Sequence, residues 1–131
     1  MIVLDENVIE NQAQLLRSWR VPIRQIGRDV GRQGMQDDEL IPLFHSLSRV
    51  TFFSRDLRFY TREIPHANYC LVVLAVEQQE TAFFVRRFLK HPNFNAAQKR
   101  MGLIVQAGHS GLRVRTLNQP GDVTISWLKL V

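Results

Sequence analysis

The sequence predicts a single α/β domain spanning residues 1–131, with a mainly parallel sheet and helices packed against it. Three observations predict it. Short apolar runs (IVL at 2–4, VTFF at 50–53, CLVVLAV at 70–76) alternate with stretches of helical periodicity, as in repeated strand–helix–strand units. No low-complexity tract or internal repeat divides the chain, and its length suits one core. After residue 103 the helical pattern stops. LIVQA, LRVRTL and VTISWLKL then follow one another across the turn signals GHSG and NQPGD, which predicts extra C-terminal strands, as an antiparallel edge or an appendage.

Residues 2–4 read as a buried strand. Ile9, Ala13, Leu16 and Trp19 recur at spacings of four, three and three, which predicts an amphipathic helix. After Pro22, PIRQIG at 22–27 reads as a weaker strand, and Gly27, Gly31 and Gly34 break the chain into a loop. A second helix follows within 37–47, with Leu40, Ile41, Phe44 and Leu47 on its apolar side. Pro42 fits only a first helical turn, so the helix is expected to start at Asp38 or Glu39. Strands at 50–53 and 70–76, a helix over 80–91 with Phe84, Val85, Phe88 and Leu89 inward, and a helical turn near Ala96–Arg100 complete the α/β part.

Composition is ordinary in hydrophobicity (45%) but not in charge: the net charge is +5 and the pI about 10.1. The cations are mostly arginines, with only Lys90, Lys99 and Lys129 as lysines. Guanidinium groups make forked contacts to phosphate and carboxylate, so nucleic acid or an acidic protein is the expected partner class. The longest apolar run falls far short of the ~18 residues of a membrane span, so no membrane association is expected. Cys70 is the sole cysteine, which excludes an intrachain disulfide and a cysteine zinc cluster. With no secretory leader pattern, a cytoplasmic location is expected.

The acids fall where an α/β sheet binds ligands. Asp5 and Glu6 follow the first strand and Asp56 follows the third, beyond the carboxyl ends where such sheets form their crevices. Asp37, Asp38 and Glu39 crowd the start of the second helix. Converging carboxylates repel one another unless a cation neutralises them, and Mg²⁺ or Mn²⁺ suits an all-oxygen site. Each group also has a plain structural role open to it. Asn7 could cap the first helix, Asp37–Glu39 could complement the helix dipole, and Asp56 could cap a short helix at 57–62.

The opening LDEN, GRQGMQDDEL at 31–40 and FFSRDLRFY at 52–60 together resemble the PIN-like domain family. The chain is most similar to short bacterial members related to toxin ribonucleases of toxin–antitoxin pairs. MGLIVQAGHSGLRVRTL at 101–117 also looks like a later strand pair of that family, with a weaker match over 61–100. The resemblance implies a three-layer PIN-like fold, Mg²⁺- or Mn²⁺-dependent RNA cleavage, RNA as substrate, a cognate antitoxin protein as partner, and an option to form homodimers. By position, Asp5, Asp37 and Asp56 match the metal-binding acids, with Asp38 and Glu39 as alternative ligands. Asn7 and Ser54 match supporting residues, and Arg55 and Arg58 stand where they could hold phosphate. Arg58 departs from the family, which has a second aspartate there. Either Arg58 takes the scissile phosphate or Glu63 reaches in to replace the missing acid.

Two other readings stay open. A catalytically inactive PIN-like module would bind RNA or protein without cutting. A receiver-like signalling domain would also carry acids after strands one and three, but it needs a lysine after LIVQA, and none follows.

Overall fold

In the computed structural model, residues 1–127 are described. Their strands are β1 (Ile2–Leu4), β2 (Ile23–Gln25), β3 (Val50–Ser54), β4 (Tyr69–Leu74), β5 (Leu103–Gly108), β6 (Gly111–Thr116) and β7 (Asp122–Ile125). The helices are α1 (Glu10–Ser18), α2 (Asp37–Ser46), α3 (Arg58–Arg62), α4 (Thr81–Lys90) and α5 (Ala97–Arg100). The strands form one sheet in the order β2-β1-β3-β4-β5-β6-β7. Strands β1 to β5 run parallel, while β6 and β7 are antiparallel additions, as the change of pattern after residue 103 predicts. The expected strand at 123–130 is seen only over its first residues, and 128–130 lie outside the described ones.

Alternation along the central strands sorts the core into two faces. Leu4, Phe53, Val72 and Val105 meet α1 and α4 on one side, through Ala13, Leu16, Phe84, Val85 and Phe88. Val3, Phe52, Leu71 and Ile104 meet α2 and α3 on the other, through Leu40, Phe44, Phe59 and Tyr60. This is a three-layer α/β arrangement. Every residue of β3 and β4 is buried, which explains why they read as continuous apolar runs.

Two local expectations need correction. Helix α2 starts at Asp37, not at Asp38 or Glu39, because Gln36 closes a capping box with Glu39. Pro42 therefore sits in the second turn, where it has no N–H to donate to the turn before it. Asn7 does not cap α1 either; Ile9 takes that position with extended backbone and no side-chain cap.

Candidate active site at the carboxyl ends of strands one and three

With β1 between β2 and β3, the chain leaves β1 and β3 toward opposite faces, and a crevice opens between their carboxyl ends. Asp5 and Asp56 both line it, enclosing about 250 Å³ together with Asn7, Arg55 and Gln78. Parallel pairing fixes this convergence, since Leu4 is level with Phe53 and the Asp5 amide donates to the Phe53 carbonyl at 2.9 Å.

Ser54 joins the two acids. Its hydroxyl donates to Asp5 Oδ2 at 2.6 Å, and its Oγ accepts the Asp56 amide at 3.0 Å. The hydroxyl thus relays polarity from one loop to the other. The Glu6 and Asn7 amides also donate to the Asp5 carboxylate. Even so, burial raises the Asp5 pKa above the ordinary carboxylate value, and the nearby Asp37 charge adds to the rise. Asp5 is a desolvated acid short of positive charge.

Asp56 has the opposite environment. Arg58 Nε lies 2.9 Å from its Oδ1 and Nη2 lies 2.7 Å from its Oδ2, a forked ion pair that lowers its pKa. The Arg58 amide donates to the same carboxylate at 3.0 Å, although the cap position of α3 itself falls to Leu57 and not, as the sequence left open, to Asp56.

Helix α2 places Asp37, half-buried, close enough for its charge to act on Asp5 but outside the crevice lining, with Arg62 Nη1 3.7 Å from its carboxylate. Asp38 is exposed. Glu39 accepts the Gln36 amide at 3.1 Å and pairs with Arg32, so the capping box and an arginine occupy it. Asn7 is exposed at the mouth, and Arg55 is held in the wall by an Nε bond to the Val76 carbonyl at 2.9 Å. Glu63 does not reach in. It ends α3, and its charge is felt by Tyr69 at the start of β4, the opposite end of the sheet.

Gln25 and Gln78, which help build the site, were not singled out from sequence, and Glu6, read there only as one of the acids after β1, takes an unexpected part. Gln25, buried at the end of β2, donates to the Val8 carbonyl at 2.8 Å and the Asp5 carbonyl at 3.2 Å, which shapes the loop carrying Asp5. Glu6 accepts the Gly34 amide at 2.9 Å and ties the loop before α2 to the loop after β1. Gly27, beneath it, has φ +86°, and a Cβ there would meet Glu6 Oε2 at 3.1 Å. Gln78 closes the crevice from the turn before α4. Only tertiary partners reveal these roles; as isolated polar residues in loops or on a weak strand they carry no pattern.

Among the described residues, no group of three or more His, Cys, Asp or Glu side chains is arranged to hold a metal ion. The donor chemistry nonetheless fits a hard divalent cation: carboxylate and hydroxyl oxygens, with a desolvated Asp5 that lacks a counter-charge. Arg58 must leave Asp56 before that carboxylate can join such a set. No family model matches the chain, and searches of curated proteins and of solved structures find no match.

Proposed function

We propose that the chain is a PIN-like ribonuclease that hydrolyses RNA phosphodiesters with Mg²⁺ or Mn²⁺. One observation carries this reading: Asp5 and Asp56 face one crevice at the sheet's switch point, joined through Ser54, with Asp37 beside Asp5. A signalling crevice of similar outline would need a lysine after β5, where His109 and Ser110 stand.

The cation, when bound, supplies a water of lowered pKa and positive charge for the developing phosphorane. Asp5, Asp37 and Asp56 would hold it, with Ser54 fixing the orientation of Asp5. Arg55, pinned to the crevice wall, meets the incoming phosphate. Arg58 exchanges its fork on Asp56 for one on the phosphate, because a guanidinium matches both anions equally well. The arginine in place of an acid then acts as a gate that RNA opens. The resemblance adds an inhibitory antitoxin protein and a cytoplasmic setting to the same proposal.

A second reading is favoured by the Asp56–Arg58 fork itself: a site neutralised by its own arginine, which binds RNA without cutting it. Cleavage of single-stranded RNA in Mn²⁺ by wild type, Asp5→Asn and Asp56→Asn separates the two. Cutting by wild type that both substitutions abolish supports the ribonuclease. Folded wild type that binds RNA and leaves it intact establishes the second reading.

A further inference from the structure

Helix α4 carries a second feature, outside the crevice. Its inner side, Ala82, Phe84, Val85 and Phe88, is buried against the sheet. Phe83, Arg86, Arg87 and Lys90 stand at i, i+3, i+4 and i+7 and so share one outer face. They line a groove of about 500 Å³ completed by His91, Pro92 and Trp127. Its lining holds three permanent positive charges and no carboxylate. Among the described residues, none of the three cations forms an ion pair, although most other surface arginines here do.

Two of these cations are already laid on rings. The Arg86 guanidinium carbon is 3.5 Å from the Trp19 ring centroid, and that of Arg87 is 4.5 Å from the Trp127 ring. Trp127 is itself anchored by an Nε1 bond to the Gly108 carbonyl at 2.5 Å. A guanidinium stacked on an indole keeps its N–H edge free while losing little freedom on binding. Phe83 adds a ring that is 50% exposed at the end of the stripe nearer the crevice.

We propose that this face of α4 binds single-stranded RNA, with Arg86, Arg87 and Lys90 along the phosphates and Phe83 stacking on a base. Cations interleaved with aromatic rings are the combination that binds single strands without sequence preference. An acidic amphipathic helix would need an apolar seam to lie in, and Phe83 is the lone large apolar side chain exposed on this helix face. The stripe also continues from the crevice: Gln78 lines the acid cavity, and α4 begins three residues later. The inference rests on RNA as the substrate class of the preceding reading, and it does not depend on cleavage.

The test is fluorescence anisotropy of a labelled oligouridylate, about twelve nucleotides long, titrated with the full chain in EDTA at several salt concentrations. Each phosphate contact to a single strand adds about 0.7 to the slope of log affinity against log salt. The triple variant Arg86→Gln, Arg87→Gln, Lys90→Gln is therefore expected to lose about 2 from that slope and at least tenfold in affinity. Phe83→Ala, an exposed change that leaves the core intact, is expected to weaken binding by about fivefold or more with the slope unchanged. Unchanged affinity and slope in the triple variant would overturn the proposal. So would a groove that takes an oligoglutamate peptide in preference to the RNA. Wild type that binds as expected yet fails to cut RNA in Mn²⁺ supports this surface while removing the ribonuclease reading.

Discussion

Arg58, the first residue of α3, grips Asp56 two residues before it with Nε and Nη2 on separate carboxylate oxygens, at 2.9 and 2.7 Å. Across the crevice Asp5 has only a hydroxyl and amides for company, and its pKa is raised where that of Asp56 is lowered. Two acids on one cavity thus differ in charge balance because one has an arginine beside it. That asymmetry sets what each substitution should do.

Replacing Arg58 with aspartate removes a competitor for Asp56 and adds a ligand. The Mn²⁺ concentration giving half-maximal RNA cleavage should fall by about tenfold. Stability should change little, because the Arg58 side chain is mostly exposed and such pairs are screened by water. A metal titration of cleavage rate checks the first point and urea denaturation the second.

Asp5→Asn should stabilise the metal-free protein at neutral pH. The folded-state pKa of Asp5 lies above its unfolded value, so stability from this group is complete below the ordinary pKa near 3.8 and is lost as pH rises through the folded value. Ionised Asp5 is therefore a penalty at pH 7 that the substitution removes. Melting curves in EDTA should show a higher melting temperature for Asp5→Asn at pH 7, and a gain that shrinks as pH approaches 3.8.

Gln25→Leu keeps the bulk of a buried side chain but abandons the carbonyls of Asp5 and Val8. The expected cost is about 1–3 kcal/mol in urea denaturation, the penalty for leaving buried polar groups unmatched. Cleavage should fall as well, since the loop carrying Asp5 loses its template. A variant as stable as wild type would remove Gln25 from the account of the site.

Cys70 lies fully buried in β4, and burial pushes its thiol pKa up to about 12. Thiolate is the reactive form, so native protein at pH 8 should resist alkylation by iodoacetamide. The same thiol should react readily in urea, with mass spectrometry reading both. Rapid labelling of the native chain would mean that β4 opens far more often than its packing implies.

The α/β core was legible because β3 and β4 are buried on both faces and therefore read as unbroken apolar runs. The antiparallel edge was legible from its turns, GHSG and NQPGD. Asp5 and Asp56 could be brought together on paper, since parallel strands that start from one edge deliver their loops to one end. The start of α2 was not legible: Pro42 argued for a later start, and the Gln36–Glu39 capping box prevailed. Nor did the sequence reveal that Glu6 would hold Gly34 or that Gln25 would serve the Asp5 loop, because both depend on partners more than fifteen residues away. The stripe on the outer side of α4 was not read from the sequence, because its two rings come from distant segments, Trp19 after α1 and Trp127 after β7.

RNA cleavage at the Asp5–Ser54–Asp56 crevice requires that it take a divalent cation. Titrating Mn²⁺ into the metal-free protein, with unbound Mn²⁺ read by electron paramagnetic resonance, tests it most directly. Wild type is expected to bind saturably and Arg58→Asp more tightly, with binding lost in Asp5→Asn. Identical titrations for wild type and Asp5→Asn would contradict it.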